Sequence, residues 1–361
     1  MRTRIRLLAP MLMIALAAIP LQSLDLIDGR VKLTLHEGIG RFSLSYLTNV
    51  KEGKYTPLLV AQDPRTSALS VVVGNKVYRM GESSEFTESL EKTETGARFA
   101  WKSSLLTITE SFSFVASPGS TLSSGVRIDL VIKNISQQDL SIGARYLFDT
   151  YLGEESFIHF RTDSLPEANH ETTLAGNAMP AYWVSPLTGD AGELGLQSMT
   201  SGPGITVPAR VVFANWKRLS DASWSYESSS ARNFSLLPYS VNDSAVCQYY
   251  DPHTLARGAE MTITLVLGKY SRSGLAASAE PAPAVTTPSK VEAPAQPPVV
   301  EKVAPNISIE IRGELESVNK MLSDIDAKIG AAAAVTDSEL SALESAISDL
   351  KDRAAKYGTG K

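Results

Sequence analysis

Alternation with a period of two runs through this chain from Leu24 to about Ser271, and it narrows the possible folds more than any other feature. In "LLTITESFSF", Leu106, Ile108, Phe112 and Phe114 fall on one side and Thr107, Thr109, Ser111 and Ser113 on the other. "VRIDLVIK" sets Val126, Ile128, Leu130 and Ile132 against Arg127, Asp129 and Lys133. "MTITLVLG" sets Met261, Ile263, Leu265 and Leu267 against Thr262, Thr264 and Val266. Successive side chains of a strand point to opposite faces, so these runs predict half-buried antiparallel strands. Turn signals at Gly74-Asn75, Ser117-Pro118-Gly119 and Asn134 to Asp139 separate them. Strand following strand without helical periodicity predicts a mainly β fold, a large antiparallel β-sandwich of roughly a dozen or more strands over residues 24–271.

The amino terminus has a different character. Arg2, Arg4 and Arg6 precede an uncharged run from Leu7 to Ser23, the layout of a secretory signal peptide. Pro10 and Pro20 interrupt the run, and it falls short of the roughly 20 apolar residues that a spanning helix needs. The expectation is therefore a signal peptide over 1–23, cut after Ser23, giving a periplasmic or secreted protein with no stable membrane span. The single cysteine, Cys247, excludes an intrachain disulfide, so stability must come from the core, where Cys247 is expected as a small buried hydrophobe. With 34 Lys and Arg against 39 Asp and Glu, the chain lacks the basic footprint of a nucleic-acid binder.

Two further composition changes follow the strands. Residues 272–306 are rich in Pro and Ala and cannot build a core; they read as a disordered, extended spacer. Beyond them the apolar period becomes helical. Ile311, Leu315, Val318, Leu322, Ile325 and Ile329 form one heptad seam, and Leu340, Leu343, Ile347, Leu350, Ala354 and Tyr357 form a second. Thr336 and Glu339 make a capping box for a fresh helix start. Residues 307–357 thus predict an α-helical hairpin or one longer coiled coil. A narrow apolar seam needs a partner, so this tail is expected to self-assemble or to dock onto a protein of the cell envelope.

Candidate chemistry centres on "SIGARYLFDTYLGEESFIHF". Alternation puts Arg145, Leu147 and Asp149 on one face of a strand, with Glu154 and Glu155 on the loop that follows. Asp149 with Glu154 or Glu155 could pair for glycoside hydrolysis, hold a cation, or be a strand-end charge beside a solvated loop. The stretch from about Thr162 to Gly204 is irregular and reads as loops and short strands at one end of the sandwich, a usual place for binding. Around it lie Trp183, Trp216 and Trp224, rings that stack on sugars or fill an all-β core. Possible ligand contacts are therefore Asp149, Glu154, Glu155, Trp183 and Trp216, with a glycan as the possible ligand. His36, His159, His170 and His253 lack zinc-ligand spacing, and no phosphate loop, nucleophile elbow or cofactor motif is present. Catalysis is not required to explain any feature, and no metal or cofactor is expected.

The segments "GRFSLSY" (40–46), "TSALSVVVGNKVYRMG" (66–81), "RYLFDTYLGE" (145–154), "VVFANWKRL" (211–219) and "DSAVCQYYDPHTLARGAEMTI" (243–263) together resemble a group of secreted bacterial β-sandwich proteins carrying an R-Y-L-x-D-T-x-L-G motif. The resemblance implies an extracytoplasmic domain with a recurring turn at Asp149 to Gly153, and no particular reaction. "DPHTLARGAEMTI" is also similar to the final strands of cell-surface immunoglobulin-like repeats. By architecture, sandwiches of the galactose-mutarotase type would be the enzyme-linked relatives, yet the paired histidines such a site implies are not evident. The leading expectation is a structural or interaction protein of the envelope, with a sandwich head on a flexible linker and a helical tail. The alternative is a carbohydrate-binding or carbohydrate-active protein using the loops of the sandwich.

Overall fold

The computed structural model describes residues 23–154, 156–188 and 194–276, all within the first of the chain's two units, Met1–Ala284. The expected signal segment up to residue 22, Glu155, the spacer from 277 onward and both helical seams lie outside the described residues.

Eighteen strands run through the described residues. The first four are β1 (Ser23–Asp28), β2 (Val31–His36), β3 (Arg41–Asn49) and β4 (Lys54–Pro57). Then come β5 (Ala68–Val73), β6 (Lys76–Arg79), β7 (Thr87–Lys92), β8 (Gly96–Lys102), β9 (Leu106–Ala116), β10 (Ser123–Asn134) and β11 (Leu140–Asp149). The short strands β12 (Arg161–Thr162), β13 (Thr172–Ala175), β14 (Tyr182–Pro186) and β15 (Gly195–Met199) follow. The last are β16 (Arg210–Asn215), β17 (Ser244–Leu255) and β18 (Glu260–Lys269), with helix α1 (Trp216–Asp221) directly after β16.

They form three antiparallel sheets: a meander β1-β2-β3-β4, an eight-stranded sheet β12-β14-β15-β18-β10-β9-β8-β7, and a six-stranded sheet β13-β16-β17-β11-β5-β6. The mainly β sandwich expected from the alternation is present. Val126, Ile128, Leu130 and Ile132 on β10 and Ile263, Leu265 and Leu267 on β18 all point into one core with Ile142, Ala144, Tyr146 and Phe148 on β11. The meander adds Val31, Leu33, Leu35 and Leu44 to the same core, where Phe42 meets Phe112 edge-on at 5.1 Å.

Among the described residues from Thr162 to Gly204 there are short strands joined by irregular segments, and β14 and β15 extend the eight-stranded sheet beyond β18, with Leu196 to Met199 paired to Lys269 to Val266. The packed unit also runs past residue 271. Leu275 is buried against Val115 and Val266, and Ala276 N–H donates to Ala116 O at 3.2 Å, so residues up to 276 pack on the outer face of β9 and β18.

β11 is buried on both faces. Its outward residue Leu147 joins Val212, Ala214, Ala245, Cys247 and Tyr249 in a second apolar cluster. Six such side chains could not be left in water, and α1 with the segment 222–243 covers them through Leu219, Trp216, Trp224 and Tyr226. Cys247 is a buried free thiol within this cluster, as expected, and burial pushes its pKa up.

Candidate functional site

The end of β11 delivers Asp149 into a tight corner. Its backbone N–H donates to the Ser67 hydroxyl at 3.0 Å, and its carbonyl accepts from Val60 N–H at 3.2 Å. The chain then turns through Thr150, whose hydroxyl donates to Ser244 O, and Glu154 Oε1 accepts the Ser244 N–H at 3.0 Å. Asp149 and Glu154 are thus brought together at one end of the six-stranded sheet, with Asp243 beside them at the entry to β17.

Their electrostatics follow from lost solvent. Burial pushes the Asp149 carboxyl up to about 7; a hydrogen bond with the Thr66 side chain pulls the other way, and the charges of Asp243 and Asp63 add to the rise. Burial likewise raises Glu154 to about 8, opposed by the Ser244 amide and assisted by Asp243 and Asp149. Asp243 is raised as well, again chiefly by burial. At pH 7 the Glu154 carboxyl is mainly protonated and the Asp149 carboxyl divides between its two forms, so each of these two can donate a hydrogen bond as well as accept one. Among the described residues no group of three or more His, Cys, Asp and Glu side chains is arranged to hold a metal ion.

The short 3-10 turn Pro64–Thr66 connects this corner to Trp216. Thr66 faces Asp149 with its side chain and accepts the Trp216 Nε1–H on its carbonyl at 2.9 Å. Asn215 explains why the helix carrying Trp216 starts there. Its Oδ1 accepts the Arg218 N–H at the helix N-cap, while its Nδ2 donates to Phe234 O at 2.8 Å and Asp243 O at 3.0 Å. One buried amide therefore caps α1 and ties down the covering segment.

Trp216 is half-buried and forms one wall of an open depression of about 340 Å³, with Asp63, Arg65, Arg79, Glu82 and Ser220 around it. Asp63 holds Arg65 at 2.7 Å, and Glu82 takes Arg79 at 3.2 Å and the buried Arg41 at 2.7 Å. The Asp63–Arg65 pair is solvated, and pairs of that kind add only about 0–1 kcal/mol to stability. The charged rim beside the indole is more useful as a set of oriented donors and acceptors than as a fold fastener.

Trp183 takes the other role open to it, and the structure corrects its place among the ligand contacts. It is fully buried, edge-on to Phe160 at 6.2 Å and tilted against Phe148 at 6.2 Å. A ring filling the core cannot stack on a sugar. Trp224 is likewise occupied, edge-on to Tyr249 at 5.9 Å, while Arg145 donates to the carbonyls of Trp224 and Ala222 at 2.6 and 2.9 Å.

Two buried carboxylates stand outside the sequence-derived set. Glu110 on β9 occupies an inward slot among Leu106, Ile108 and Phe112 and is 2% exposed. The signal was available, because the alternation of "LLTITESFSF" reaches position 110 in its apolar phase. Glu171 has a fully buried side chain held by Arg218 at 2.8 Å, Arg232 at 3.1 Å and the Tyr226 hydroxyl at 2.8 Å. No local pattern marks Glu171, since its partners come from 47 to 61 positions further along the chain.

No protein-family model matches the chain, and no curated protein matches it either. Among solved structures it is similar to a galactose mutarotase-like protein from Lactobacillus casei, at 12% identity and a TM-score of 0.41, over 69% of this chain and 100% of that one. A galactose mutarotase related enzyme from Lactobacillus acidophilus gives 11% identity and 0.38, over 69% and 98%. An aldose epimerase homologue from C. elegans gives 8% and 0.31, over 69% and 99%. Similarity at this level assigns no activity to the chain.

Proposed function

We propose that the sandwich is a carbohydrate-binding head and that the depression beside Trp216 is its sugar-contact surface. The observation that carries this reading is the indole of Trp216, stationed by Thr66 O and walled by the Arg65–Asp63 and Arg79–Glu82 pairs. Sugar rings offer apolar C–H faces to an aromatic wall and rings of hydroxyls to planar charged groups, which is the combination this rim supplies. Asp149 and Glu154 stand behind that wall and fix Thr66 and the start of β17; binding, rather than bond cleavage, is the role assigned to the site.

Calorimetric titration of the full chain, with oligosaccharides chosen from a glycan array, tests the reading. Saturable binding weakened roughly tenfold or more in Trp216→Ala, yet unchanged in the neighbouring Lys217→Ala, is the expected result. Absence of any glycan ligand, or a Trp216→Ala chain that binds as well as the parent, refutes it.

The tail supports a second, compatible reading. The two heptad seams, Ile311 to Ile329 and Leu340 to Tyr357, favour self-assembly or docking onto an envelope protein after export. Several tethered heads would then act together on a multivalent glycan surface. Light scattering of the full chain beside a chain ending at Ala276 decides this: assembly is expected only with the tail. A full chain that is monomeric and captures no envelope protein removes the tail reading and leaves the sugar site untouched.

A further inference from the structure

A second cavity lies away from the Trp216 depression, where the β1–β2 turn meets the ends of β10 and β18. Arg30 N–H donates to Ser123 O at 3.2 Å, and Arg30 O accepts the Leu47 N–H at 2.8 Å, so the turn is pinned to β10 and β3 by its backbone while the Arg30 side chain stays exposed. The cavity measures about 580 Å³ and is lined by Arg30, Lys269, Arg272, Tyr46 and Tyr270 together with several serines, and among the described residues no carboxylate lines it. Asp28, the acidic neighbour, accepts from the hydroxyl of Ser123, a residue of this wall, and itself lines a different cavity.

Three cations thus line one cavity of a chain whose net charge is -5, and among the described residues the carboxylate next to them, Asp28, is reached through the Ser123 hydroxyl. Burial and then the nearby Arg30 charge hold the Lys269 ammonium below its usual pKa. A bound anion would relieve that repulsion. Guanidinium forks match the planar or tetrahedral oxygens of carboxylate and phosphate. Tyrosine rings and serine hydroxyls add a wall and hydrogen bonds suited to a hydroxylated body rather than to a bare ion. The volume is ample for one or two sugar rings.

We propose that this cavity binds an anionic saccharide, a sugar bearing a carboxylate or phosphate group, held by Arg30, Lys269 and Arg272. None of these residues belongs to the Trp216 depression, so the two sites stand or fall separately.

Titration of the full chain at low and at high salt with glucuronate, glucose 6-phosphate, inorganic phosphate and glucose tests the proposal. Glucuronate or glucose 6-phosphate should saturate one site, bind more weakly as salt rises, and outcompete inorganic phosphate, with glucose failing to bind there. Lys269→Gln and Arg272→Glu should each weaken the charged sugar roughly tenfold or more, whereas Trp216→Ala should leave it unchanged. Arg272 is exposed on a turn, so its variant keeps the fold even if the Lys269 variant does not. No saturable binding of either charged sugar, binding untouched by Arg272→Glu, or glucose binding as well as its phosphate in the Trp216→Ala chain overturns the proposal. Inorganic phosphate binding as tightly as the sugar phosphate overturns the assignment to a saccharide.

Discussion

The Tyr146 hydroxyl on β11 donates a 2.9 Å hydrogen bond to Glu110 Oε1 on β9, joining the two large sheets through their buried interior. Burial raises the Glu110 carboxyl to about 7, with the Tyr146 hydrogen bond and the Arg41 charge holding it down from a higher value. Removing the donor takes from this buried carboxyl the side-chain hydrogen bond it accepts among the described residues. Tyr146→Phe should therefore lose about 1–3 kcal/mol in urea unfolding at pH 7, and Glu110→Gln, which keeps the acceptor and cannot ionise, should lose less.

Stability should fall as pH rises from about 5 to 8. Glu110, Asp149 and Glu154 have folded pKa values raised to about 7, 7 and 8, above their ordinary values, so the stability linked to each is full below the ordinary value and is lost as pH climbs through the folded one. His159, lowered to about 4 by burial, works the other way: its contribution is present above about 6.5 and lost as pH falls towards 4. Three groups outweigh one across the shared window. Melting temperatures measured from pH 5 to 8 check the direction, and Glu110→Gln should flatten the slope. A melting temperature that rises through this range contradicts the assignment.

Glu171 should act as the anchor of the covering segment. Replacing it with Ala takes the shared carboxylate from Arg218, Arg232, the Tyr226 hydroxyl and the Ser229 amide, while Arg218 keeps the Asn233 and Ser235 carbonyls and Arg232 keeps the Glu227 carbonyl. A loss of about 1–3 kcal/mol is expected, because the donors that met the carboxylate lose their acceptor while the arginines keep backbone partners and some contact with solvent. Limited proteolysis should show new cleavage within residues 224–242; an unchanged digestion pattern argues against the anchoring role.

The two tryptophans should separate cleanly. Trp183→Ala opens a cavity between Phe148 and Phe160 and should destabilise by about 3–5 kcal/mol, as read by denaturant unfolding. Sugar should alter the quenching of half-buried Trp216 by acrylamide, and a Trp216→Phe chain should lose that response.

Gly81 should tolerate no side chain. Its φ is +78°, and a Cβ there would lie 1.8 Å from Ile39 O. Gly81→Ala should cost more than roughly 3 kcal/mol or prevent soluble expression. At Gly74, φ is +59° with nothing within 4 Å, so Gly74→Asn should lower the melting temperature only slightly, since Asn accepts the left-handed region.

Much of the fold was legible because alternation is a local property. It placed Ile128, Leu130, Ile263 and Leu265 inward, put Gly74-Asn75 at the β5–β6 turn, and set Arg145, Leu147 and Asp149 on one face of β11. The candidate site was only half legible. Asp149 and Glu154 were found as neighbours in sequence, but their company with Thr66 and Trp216 was not, and Trp183 and Trp216 could not be told apart from composition.

By itself the sequence determined the class of fold, the faces of the main strands and the changes of composition at both ends of the sandwich. The tertiary structure alone decided what lies against each face: α1 and its following segment over the outer side of β11, Glu110 opposite Tyr146, and the Trp216 N–H on Thr66 O. The reason is range. A two-residue period says which way a side chain points, whereas Thr66 and Trp216 are 150 positions apart and meet only after strands between them have paired.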